Sequence, residues 1–419
     1  MAKNGKWEMI KVSSGSQLKG RVVLPASKSI SNRALVINAL SKNALLPDNL
    51  SNSDDTVVLL RALQDMPETI DIGAAGTAMR FLTAYLSVTP GEHVLTGTER
   101  MKHRPIGILV DALRQLGASI TYEGEEGFPP LHIAGHNSLA GKELNVPGDV
   151  SSQYISALLM IAPTLKTGLR LTLSGTIASK PYLDMTIAMM RDYGANVEWK
   201  GDNVVEVQSG QYLQRPYHVE SDWSAASYWY EMLALSQDSN AEVDLIGLHR
   251  DSIQGDSKVS QIFNELGVET LFVDSQTVRL RRKGKPSKHL ELDLIGQPDL
   301  AQTLIVCCAM LGTTFRFSGL ASLKIKETNR TAALQTELRK LGIVIHEDKD
   351  NVVYWDGERC EAKEEPAFDT YEDHRMAMAL APVCLRTGGE IQINNPQVVS
   401  KSYPTFWDDL VKLGFKVCK

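Results

Sequence analysis

Runs of small and apolar residues, each opening on a polar residue, recur six times along the chain. Each run predicts a buried helix. After a first interval of 46 residues, the starts fall 72 to 75 residues apart, which is the self-similarity of a repeat architecture. The runs begin near Ser31, Thr77, Ser152, Ser224, Asp299 and His374. This spacing predicts six copies of one unit, with the first copy shortened.

A second series of segments recurs in register with the first. Its later members, such as DALRQLGASI and TELRKLGIVI, are typical of amphipathic helices that stop at a glycine and lead into a short strand. The stopping glycines are Gly117, Gly194, Gly267, Gly342 and Gly414. Each unit should therefore hold one buried helix, one half-exposed helix and several strands. A chain of 419 residues exceeds one ordinary domain, so we expect two domains of three units each.

Composition places the chain among globular proteins, with 43% hydrophobic and 22% charged residues. The longest apolar stretch, LIVCCAML, is too short to span a bilayer, and the first residues contain no apolar signal segment. We therefore expect a cytoplasmic protein. The net charge of -6 provides no overall positive field to attract nucleic acid or an acidic membrane. The five cysteines include no CxxC pair, which favours reduced, buried thiols over zinc binding or thiol catalysis.

Candidate chemistry gathers near the starts of the buried helices. Lys28, Ser29 and Arg33 surround the first start, where free N–H groups and the helix dipole favour a phosphate. A capped helix with solvent-facing cations explains them equally well. Gly76, in GAAGTAMR, allows a close backbone approach to a ligand, although a tight strand-to-helix turn remains an alternative.

Three further segments supply cations or hydroxyl groups. The ERMKHRP loop carries four basic residues, including Arg100, and fits either an anion site or a plain basic surface loop. Ser151 and Ser152 are candidate N-cap residues, and Gln153 could bond a ligand hydroxyl. The ASKPY segment adds two more hydroxyl side chains, Ser179 and Tyr182.

The second half of the chain brings acids and bases. Asp299 heads the most apolar run, as either an N-cap or a general base with a raised pKa. KIKETNR carries Lys326, Glu327 and Arg330 at a helix start, where cations oppose the helix dipole and suggest a nearby anion. The segments DHRMAMA and VVSKSYP supply His374, Arg375 and Lys401. If the helix starts of both domains face one cleft, two anionic substrates could meet there.

Together these motifs resemble the 5-enolpyruvylshikimate-3-phosphate synthases of the enolpyruvyl transferase family. SKSISNRAL, AGTAMRFL, RMKHRPIGILVDALRQLGA, VSSQYISALLM, SKPYLDMT, KETNR, YEDHRMAMA and SKSYP stand in the family's order over nearly the whole chain. The resemblance implies an α/β fold, a two-domain inverse α/β barrel built from six βαβαββ repeats. It places one domain at 1–25 plus 221–419, the other at 26–220, and the active-site cleft between them.

The resemblance also implies a reaction. The enzyme would transfer the enolpyruvyl group of phosphoenolpyruvate to the 5-hydroxyl of shikimate 3-phosphate, with release of phosphate, in the shikimate pathway of aromatic amino-acid biosynthesis. It would need no metal and no cofactor, would bind no nucleic acid or membrane, and would act as a monomer.

Residue roles carried over from the family divide into three sets, with His374 left as a site neighbour of open role. The catalytic set is Asp299, Lys326, Glu327 and Lys28. Shikimate 3-phosphate would bind to Lys28, Ser29, Arg33, Ser151, Ser152, Gln153, Ser179, Tyr182, Asp299, Ser322 and Lys326. Phosphoenolpyruvate would bind to Lys28, Gly76, Arg100, Gln153, Arg330, Arg375 and Lys401.

The chain departs from the family pattern in places. The family usually has Asn where this chain has Ala74, Pro where it has Phe81, and Asp where it has Asn329. It usually has Asn or His in place of Ser322, and a small residue in place of Trp223. We expect a working enzyme with altered substrate affinities. Two alternatives are a non-catalytic anion-binding homologue and the sister enzyme acting on UDP-N-acetylglucosamine. The sister enzyme uses a cysteine in the loop that matches 97–104, where this chain has none.

Overall fold

The computed structural model describes residues 8–15, 17–42 and 45–419. It is a mixed α/β structure, which confirms the predicted fold class. Its strands, in chain order, are β1 Met9–Ser13, β2 Lys19–Val23, β3 Thr69–Asp71, β4 Gly91–Thr96, β5 Ser119–Tyr122, β6 Leu131–Gly135, β7 Glu143–Pro147, β8 Leu169–Ser174, β9 Val197–Trp199, β10 Val204–Val207, β11 Glu242–Ile246, β12 Val268–Phe272, β13 Thr277–Arg282, β14 His289–Asp293, β15 Thr314–Ser318, β16 His346–Glu347, β17 Val353–Trp355, β18 Ala367–Phe368, β19 Ile391–Asn394 and β20 Lys416–Cys418.

The helices interleave with these strands. They are α1 Lys28–Leu40, α2 Asp54–Asp65, α3 Gly76–Ser87, α4 Glu99–Lys102, α5 Gly107–Gln115, α6 Ser152–Ile161, α7 Lys180–Asp192, α8 Trp223–Leu235, α9 Val259–Glu265, α10 Ala301–Leu311, α11 Arg330–Arg339, α12 His374–Leu380, α13 Cys384–Thr387 and α14 Phe406–Lys412. Short 3₁₀ helices include Gly255–Lys258, Pro298–Leu300, Ala321–Ile325 and Pro396–Lys401. No helix of the described residues is long and apolar enough to cross a membrane.

The described residues divide into two compact units. The terminal unit runs up to Pro25 and resumes at Glu220 to the end of the chain, and the inserted unit spans Ala26–Val219. Each unit has a hydrophobic core of its own. The buried helices supply much of each core, and every residue of α3 in the inserted unit is buried.

Five four-stranded sheets share one strand order. In each sheet a parallel pair is extended by two antiparallel pairings, as in β3-β4-β6-β5, where β3 and β4 run parallel. In four of these sheets a buried helix connects the parallel strands, as α3 connects β3 to β4, whereas the inserted unit and α8 lie between β2 and β11. An amphipathic helix such as α5 precedes the strand that comes third along the chain. This is a βαβαββ unit. The inserted unit holds two such sheets and the terminal unit three.

The sheet of β18, β19, β1 and β20 takes one of its two inner strands, β1, from the start of the chain. β1 pairs antiparallel with both β19 and β20. In the region of the shortened first repeat, α1 and α2 are followed by no sheet of their own among the described residues, and Asp48 and His218 form an isolated parallel bridge. The six-repeat barrel remains a prediction, since five sheets are described.

Glycines end the amphipathic helices because the chain must turn left-handed there. Gly194 follows α7 with a φ of 84°, and Gly342 follows α11 with a φ of 75°. The next residue then donates back into the helix, as Ala195 N does to Met190 O at 2.9 Å. The stop carries the chain into the following strand, as the sequence pattern predicted.

Candidate functional site

The terminal unit places a buried arginine among three carboxylates. Arg330 begins α11 and is 1% exposed. Its Nε donates to Asp373 Oδ2 at 2.7 Å, and its two Nη atoms donate to Asp299 Oδ1 at 3.2 Å and Glu327 Oε2 at 3.0 Å. Burial alone would lower the pKa of Arg330, but the three carboxylates outweigh burial and raise it. The guanidinium is therefore permanently charged and locked in place.

Asp299 lies at the centre of this network. It belongs to the 3₁₀ turn Pro298–Leu300 and does not cap α10, so the N-cap alternative is wrong. Its Oδ2 accepts from Arg375 Nη2 at 2.7 Å, and Lys326 Nζ lies 3.9 Å from Oδ1. Burial acts to raise the pKa of Asp299, yet Arg375, Lys326 and Arg330 together hold it well below its ordinary value, so the expected raised pKa is also wrong. Asp299 is thus ionised and bound to cations.

Glu327 links a further cation to the network. Its Oε1 lies 3.2 Å from Lys401 Nζ, and its Oε2 accepts from Arg330. Lys401 ends the 3₁₀ helix Pro396–Lys401, far along the chain from Glu327. Lys326 keeps 31% of its side-chain exposure. Desolvation is the main cause that lowers the pKa of Lys326, and Arg330 and Arg375 add to it, whereas Asp299 opposes it.

The start of α12 is built around Asp373. This residue is 0% exposed, accepts from Arg375 N at 2.9 Å as the N-cap, and binds Arg330 through its other oxygen. It was absent from our sequence-based set of site residues, although an Asp directly before a buried helix is an N-cap signal. His374, whose role we left open, has Nδ1 at 3.7 Å from Asp373 Oδ1. Ser322 belongs to the 3₁₀ helix Ala321–Ile325, which ends directly before Lys326.

In the inserted unit, Arg33 is the most enclosed of the predicted ligands. It is 2% exposed, and its Nε donates to Thr186 Oγ1 at 2.7 Å. Its Nη atoms donate to Ser156 Oγ at 3.1 Å and Ser29 O at 2.9 Å. Burial lowers the pKa of Arg33 to about 10. These bonds join α1, α6 and α7.

Lys28 and Ser29 form the first turn of α1. Ser27 is the N-cap and accepts from Ile30 N at 3.4 Å. Lys28 Nζ lies 3.6 Å from Asp55 Oδ2, with 15% and 5% of the two side chains exposed. Asp55 belongs to the first turn of α2, so Lys28 faces the protein as well as any ligand.

The start of α3 is bordered by Arg104. A Cβ added to Gly76 would lie 2.6 Å from Arg104 Nη1, so any other residue at this position would displace the guanidinium. The next residue, Pro105, is held by its carbonyl oxygen, which accepts from Arg80 Nη2 at 3.3 Å and from the Tyr154 hydroxyl. Arg100, which we predicted as a ligand, is an exposed residue of α4. We therefore add Arg104 to the candidates, on its contact with Gly76.

The starts of α6 and α7 carry the remaining predicted residues. Ser151 caps α6 and accepts from Gln153 N at 3.3 Å, and Ser152 is the first helical residue. Gln153 Nε2 donates to Thr77 Oγ1 at 3.0 Å, which brings the start of α6 to the start of α3.

Two predicted residues lie at the start of α7. Ser179 has a left-handed φ of 57° and is 8% exposed. Tyr182 follows it in the first turn, and its carbonyl oxygen accepts from Arg33 Nη2 at 3.5 Å. In the described parts of the chain, no three His, Cys, Asp or Glu side chains are grouped as ligands of one metal ion.

The family model described as EPSP synthase (3-phosphoshikimate 1-carboxyvinyltransferase) matches residues 12–70 and 65–410. The chain belongs to the EPSP synthase family. A 3-phosphoshikimate 1-carboxyvinyltransferase of Bacteroides fragilis is 55% identical over 406 residues, which cover 97% of this chain and 98% of the relative. One of Shewanella halifaxensis is 36% identical over 426 residues, covering 95% and 97%.

Solved structures support the fold of this family member. An EPSP synthase of Acinetobacter baumannii superposes with a TM-score of 0.79 at 22% identity, over 98% of this chain and 100% of the solved one.

Two departures from the family pattern have defined structural roles. Phe81 lies beneath the Arg33 guanidinium, 5.4 Å from its ring centre. Asn329 is the N-cap of α11 and accepts from Ala332 N at 3.2 Å.

Proposed function

We propose that this EPSP synthase family member is an enzyme that transfers the enolpyruvyl group of phosphoenolpyruvate to shikimate 3-phosphate. The 5-hydroxyl oxygen of shikimate 3-phosphate bonds to C2 of phosphoenolpyruvate, and the methylene carbon gains a proton. The resulting tetrahedral intermediate loses a proton from its methyl group and expels phosphate. The observation that carries this proposal is the set of four cations, Lys326, Arg330, Arg375 and Lys401, gathered around Asp299 and Glu327.

The charge of the substrates explains this density of cations. Two like unit charges about 6 Å apart repel by roughly 3 kcal/mol at an effective dielectric near 20. Both substrates carry several negative charges, so their joint binding requires many cations. We assign phosphoenolpyruvate to Arg330, Arg375 and Lys401 in the terminal unit. From the inserted unit it would meet Lys28, Gly76, Gln153 and Arg104, with Arg100 kept as the sequence-based candidate.

Shikimate 3-phosphate is assigned mainly to the inserted unit. Its proposed ligands there are Lys28, Ser29, Arg33, Ser151, Ser152, Gln153, Ser179 and Tyr182, with Asp299, Ser322 and Lys326 from the terminal unit. Hydroxyl groups and free helix N–H groups suit a phosphate because they donate hydrogen bonds without further charge. Arg33 is enclosed and bonded to hydroxyl and carbonyl oxygens. We assign it to supply the positive charge behind these phosphate-binding groups.

Proton transfer falls to Asp299 and Lys326. Asp299 is a weak base while Arg330 and Arg375 bind it, because both cations favour its ionised form. When the phosphoenolpyruvate anion binds these arginines, its negative charge offsets theirs. Asp299 then regains affinity for a proton and can accept the proton of the 5-hydroxyl. Lys326, with its lowered pKa, is the proposed acid or shuttle, and Glu327 assists.

Phosphate release from a mixture of both substrates tests the proposal. The wild-type protein should release phosphate only when both substrates are present. Asp299→Ala and Lys326→Met should lower turnover at least about a hundredfold, as expected for loss of a general acid or base. Binding of shikimate 3-phosphate, measured by calorimetry, should remain detectable.

Lys324→Met is the matched control for Lys326→Met. Lys324 lies in the same segment but pairs with Glu347 at 3.1 Å, outside the network, so this variant should turn over normally. Wild-type turnover in either Asp299→Ala or Lys326→Met would remove that residue from proton transfer. Substrate binding without any phosphate release by the wild type would favour the non-catalytic homologue instead.

The sister activity on UDP-N-acetylglucosamine is the less favoured alternative. The loop 97–104 contains no cysteine, and both named relatives are 3-phosphoshikimate 1-carboxyvinyltransferases. A monomeric, cytoplasmic enzyme remains our prediction. Light scattering of the purified protein at about 46.2 kDa would support the monomer.

A further inference from the structure

A buried carboxyl group outside the predicted set lies beside the terminal-unit network. Asp256 belongs to the 3₁₀ helix Gly255–Lys258 and is 3% exposed. Its Oδ2 accepts a hydrogen bond from the Ser224 hydroxyl in the first turn of α8. Its Oδ1 has no hydrogen-bond partner among the described residues. Such a group is expensive to bury and calls for a reason beyond packing.

The charged groups that face Asp256 point to that reason. They are Asp299, Arg375 and Asp222. Two of these, Asp299 and Arg375, form the 2.7 Å ion pair at the centre of the network, and the third, Asp222, caps α8. The geometry of α8 places these groups on one side of it, because Arg375 Nη1 donates to the Tyr228 hydroxyl at 3.3 Å, one turn after the Ser224 that binds Asp256. Asp256 is therefore a second carboxyl group on the side of α8 that faces the cation of Asp299.

We propose that Asp256 is a positioning residue that acts through this ion pair. Its carboxylate competes with Asp299 for Arg375 and repels the charge of Asp299, which restores Asp299 as a proton acceptor. The inference rests on the proposed function, because it gives Asp299 the role of base. It also gives a function to a buried acidic side chain in a position where an apolar one would pack without this cost.

The state of Asp256 should change near neutral pH. Burial first, and then the charge of Asp299, raise the pKa of Asp256 to about 7, against the hydrogen bond from Ser224 and the charge of Arg375. Below that pH Asp256 is neutral and does not compete with Asp299 for Arg375. Above that pH Asp256 is ionised and the hold of Arg375 on Asp299 weakens. Activity should therefore rise with pH through this range.

The pH dependence of kcat/KM for Asp256→Asn tests the proposal. Asparagine resembles the neutral acid, so the variant and the wild type should differ least at pH 6. By pH 8.5 the ratio of variant to wild type should fall about tenfold, the effect of one pKa unit on Asp299. The ratio is the readout because the substrate phosphates, which themselves titrate near pH 6, affect both enzymes equally.

Ser224→Ala gives an independent test that keeps the carboxyl group. Loss of the hydroxyl donor destabilises the ionised form of Asp256, so its ionisation should move to higher pH. The ratio of this variant to the wild type should dip between pH 7 and 8 and recover above pH 9. A ratio that stays constant with pH would overturn the proposal, even if Asp256→Asn fails to fold.

Glu220→Gln is the matched control. Burial also raises the pKa of Glu220, but its carboxylate bonds Gln254 at 2.7 Å and Ser252, and Asp299 is not among its charged neighbours. Its ratio to the wild type should not change with pH. Wild-type turnover with a flat Asp256→Asn ratio would overturn this inference alone. Absence of wild-type turnover would overturn the proposed function, and this inference with it.

Discussion

Glu231 is a buried carboxyl group that the proposed reaction does not use. It lies in α8, is 0% exposed, and neither of its oxygens has a hydrogen-bond partner among the described residues. Burial raises its pKa well above the ordinary value. Burial therefore favours the protonated form of Glu231 in the folded protein.

Glu231→Gln should become increasingly stable relative to the wild type as the pH rises. The folded state holds a proton on Glu231 that the unfolded chain has lost above about pH 4.3. Wild-type stability is thus fully present below that pH and declines as the pH rises, whereas glutamine does not titrate. The difference in unfolding free energy should grow by about 1.4 kcal/mol per pH unit between pH 5 and 8.

Urea unfolding across this pH range measures that slope. Glu125→Gln, at an exposed position, provides the control and should leave the slope unchanged. An equal offset of the Glu231→Gln variant at every pH would contradict a protonated Glu231.

At the scale of single residues, the sequence indicated which residue types are present but not which pairs meet. Lys401 was a plausible ligand from its motif, yet its contact with Glu327 joins segments more than seventy positions apart. Asp256 and Glu231 carry no sequence signal, since one lies in a loop-like segment and the other in an apolar run. Burial decides the chemistry of such groups, and burial is a property of the fold.

At the scale of elements, helix ends were the most predictable features. The glycine stops after α5, α7, α9, α11 and α14 all take positive φ values, because the C′ position of a helix requires that conformation. Strands were less predictable. The apolar run after Gly342 indicated a strand at once, but β16 begins at His346, and Ile343 forms only an isolated bridge with Arg359. Strand bounds depend on partners that local sequence does not specify.

The start of α12 combines a helix cap with an ion pair, and two substitutions separate the two roles. Asp373→Asn keeps an oxygen for the N–H of Arg375 but removes the charge that faces Arg330. Asp373→Ala removes both. We expect Asp373→Ala to unfold at lower urea, with about 1 kcal/mol less stability than Asp373→Asn, because it also loses the cap.

Both Asp373 variants should raise the KM for phosphoenolpyruvate, since each frees Arg330 from one of its anchors. Steady-state kinetics with shikimate 3-phosphate held at saturation measures this effect. Equal stability of the two variants would mean that the cap contributes nothing. An unchanged KM in both would separate Asp373 from substrate binding.

At the scale of the whole molecule, the interval between apolar runs predicted how the chain is partitioned. The regular spacing of about 75 residues corresponds to the length of one βαβαββ unit. The short first interval corresponds to the region of α1 and α2, where the described residues form no four-stranded sheet. The use of β1 as an inner strand of the final sheet was not predictable, because no local pattern links the two ends of a chain.

Two separate cores predict two unfolding transitions. Gly194 lies in the inserted unit with a φ of 84°, and an added Cβ would meet Leu213 Cγ at 2.6 Å. Gly342 lies in the terminal unit with a φ of 75°, and its added Cβ would meet Cys360 O at 2.8 Å. An alanine at either position is strained by about 1 to 2 kcal/mol, because L-residues disfavour left-handed backbone.

Calorimetry of Gly194→Ala and Gly342→Ala distinguishes separate from joint unfolding. Units of about 200 residues that unfold separately should each respond only to their own substitution, by about 2 to 8 °C. Gly194→Ala should lower one transition and Gly342→Ala the other, since the two residues belong to different units. If both substitutions lowered one common transition, the cores would not be independent, because a shared transition requires that neither unit persists without the other.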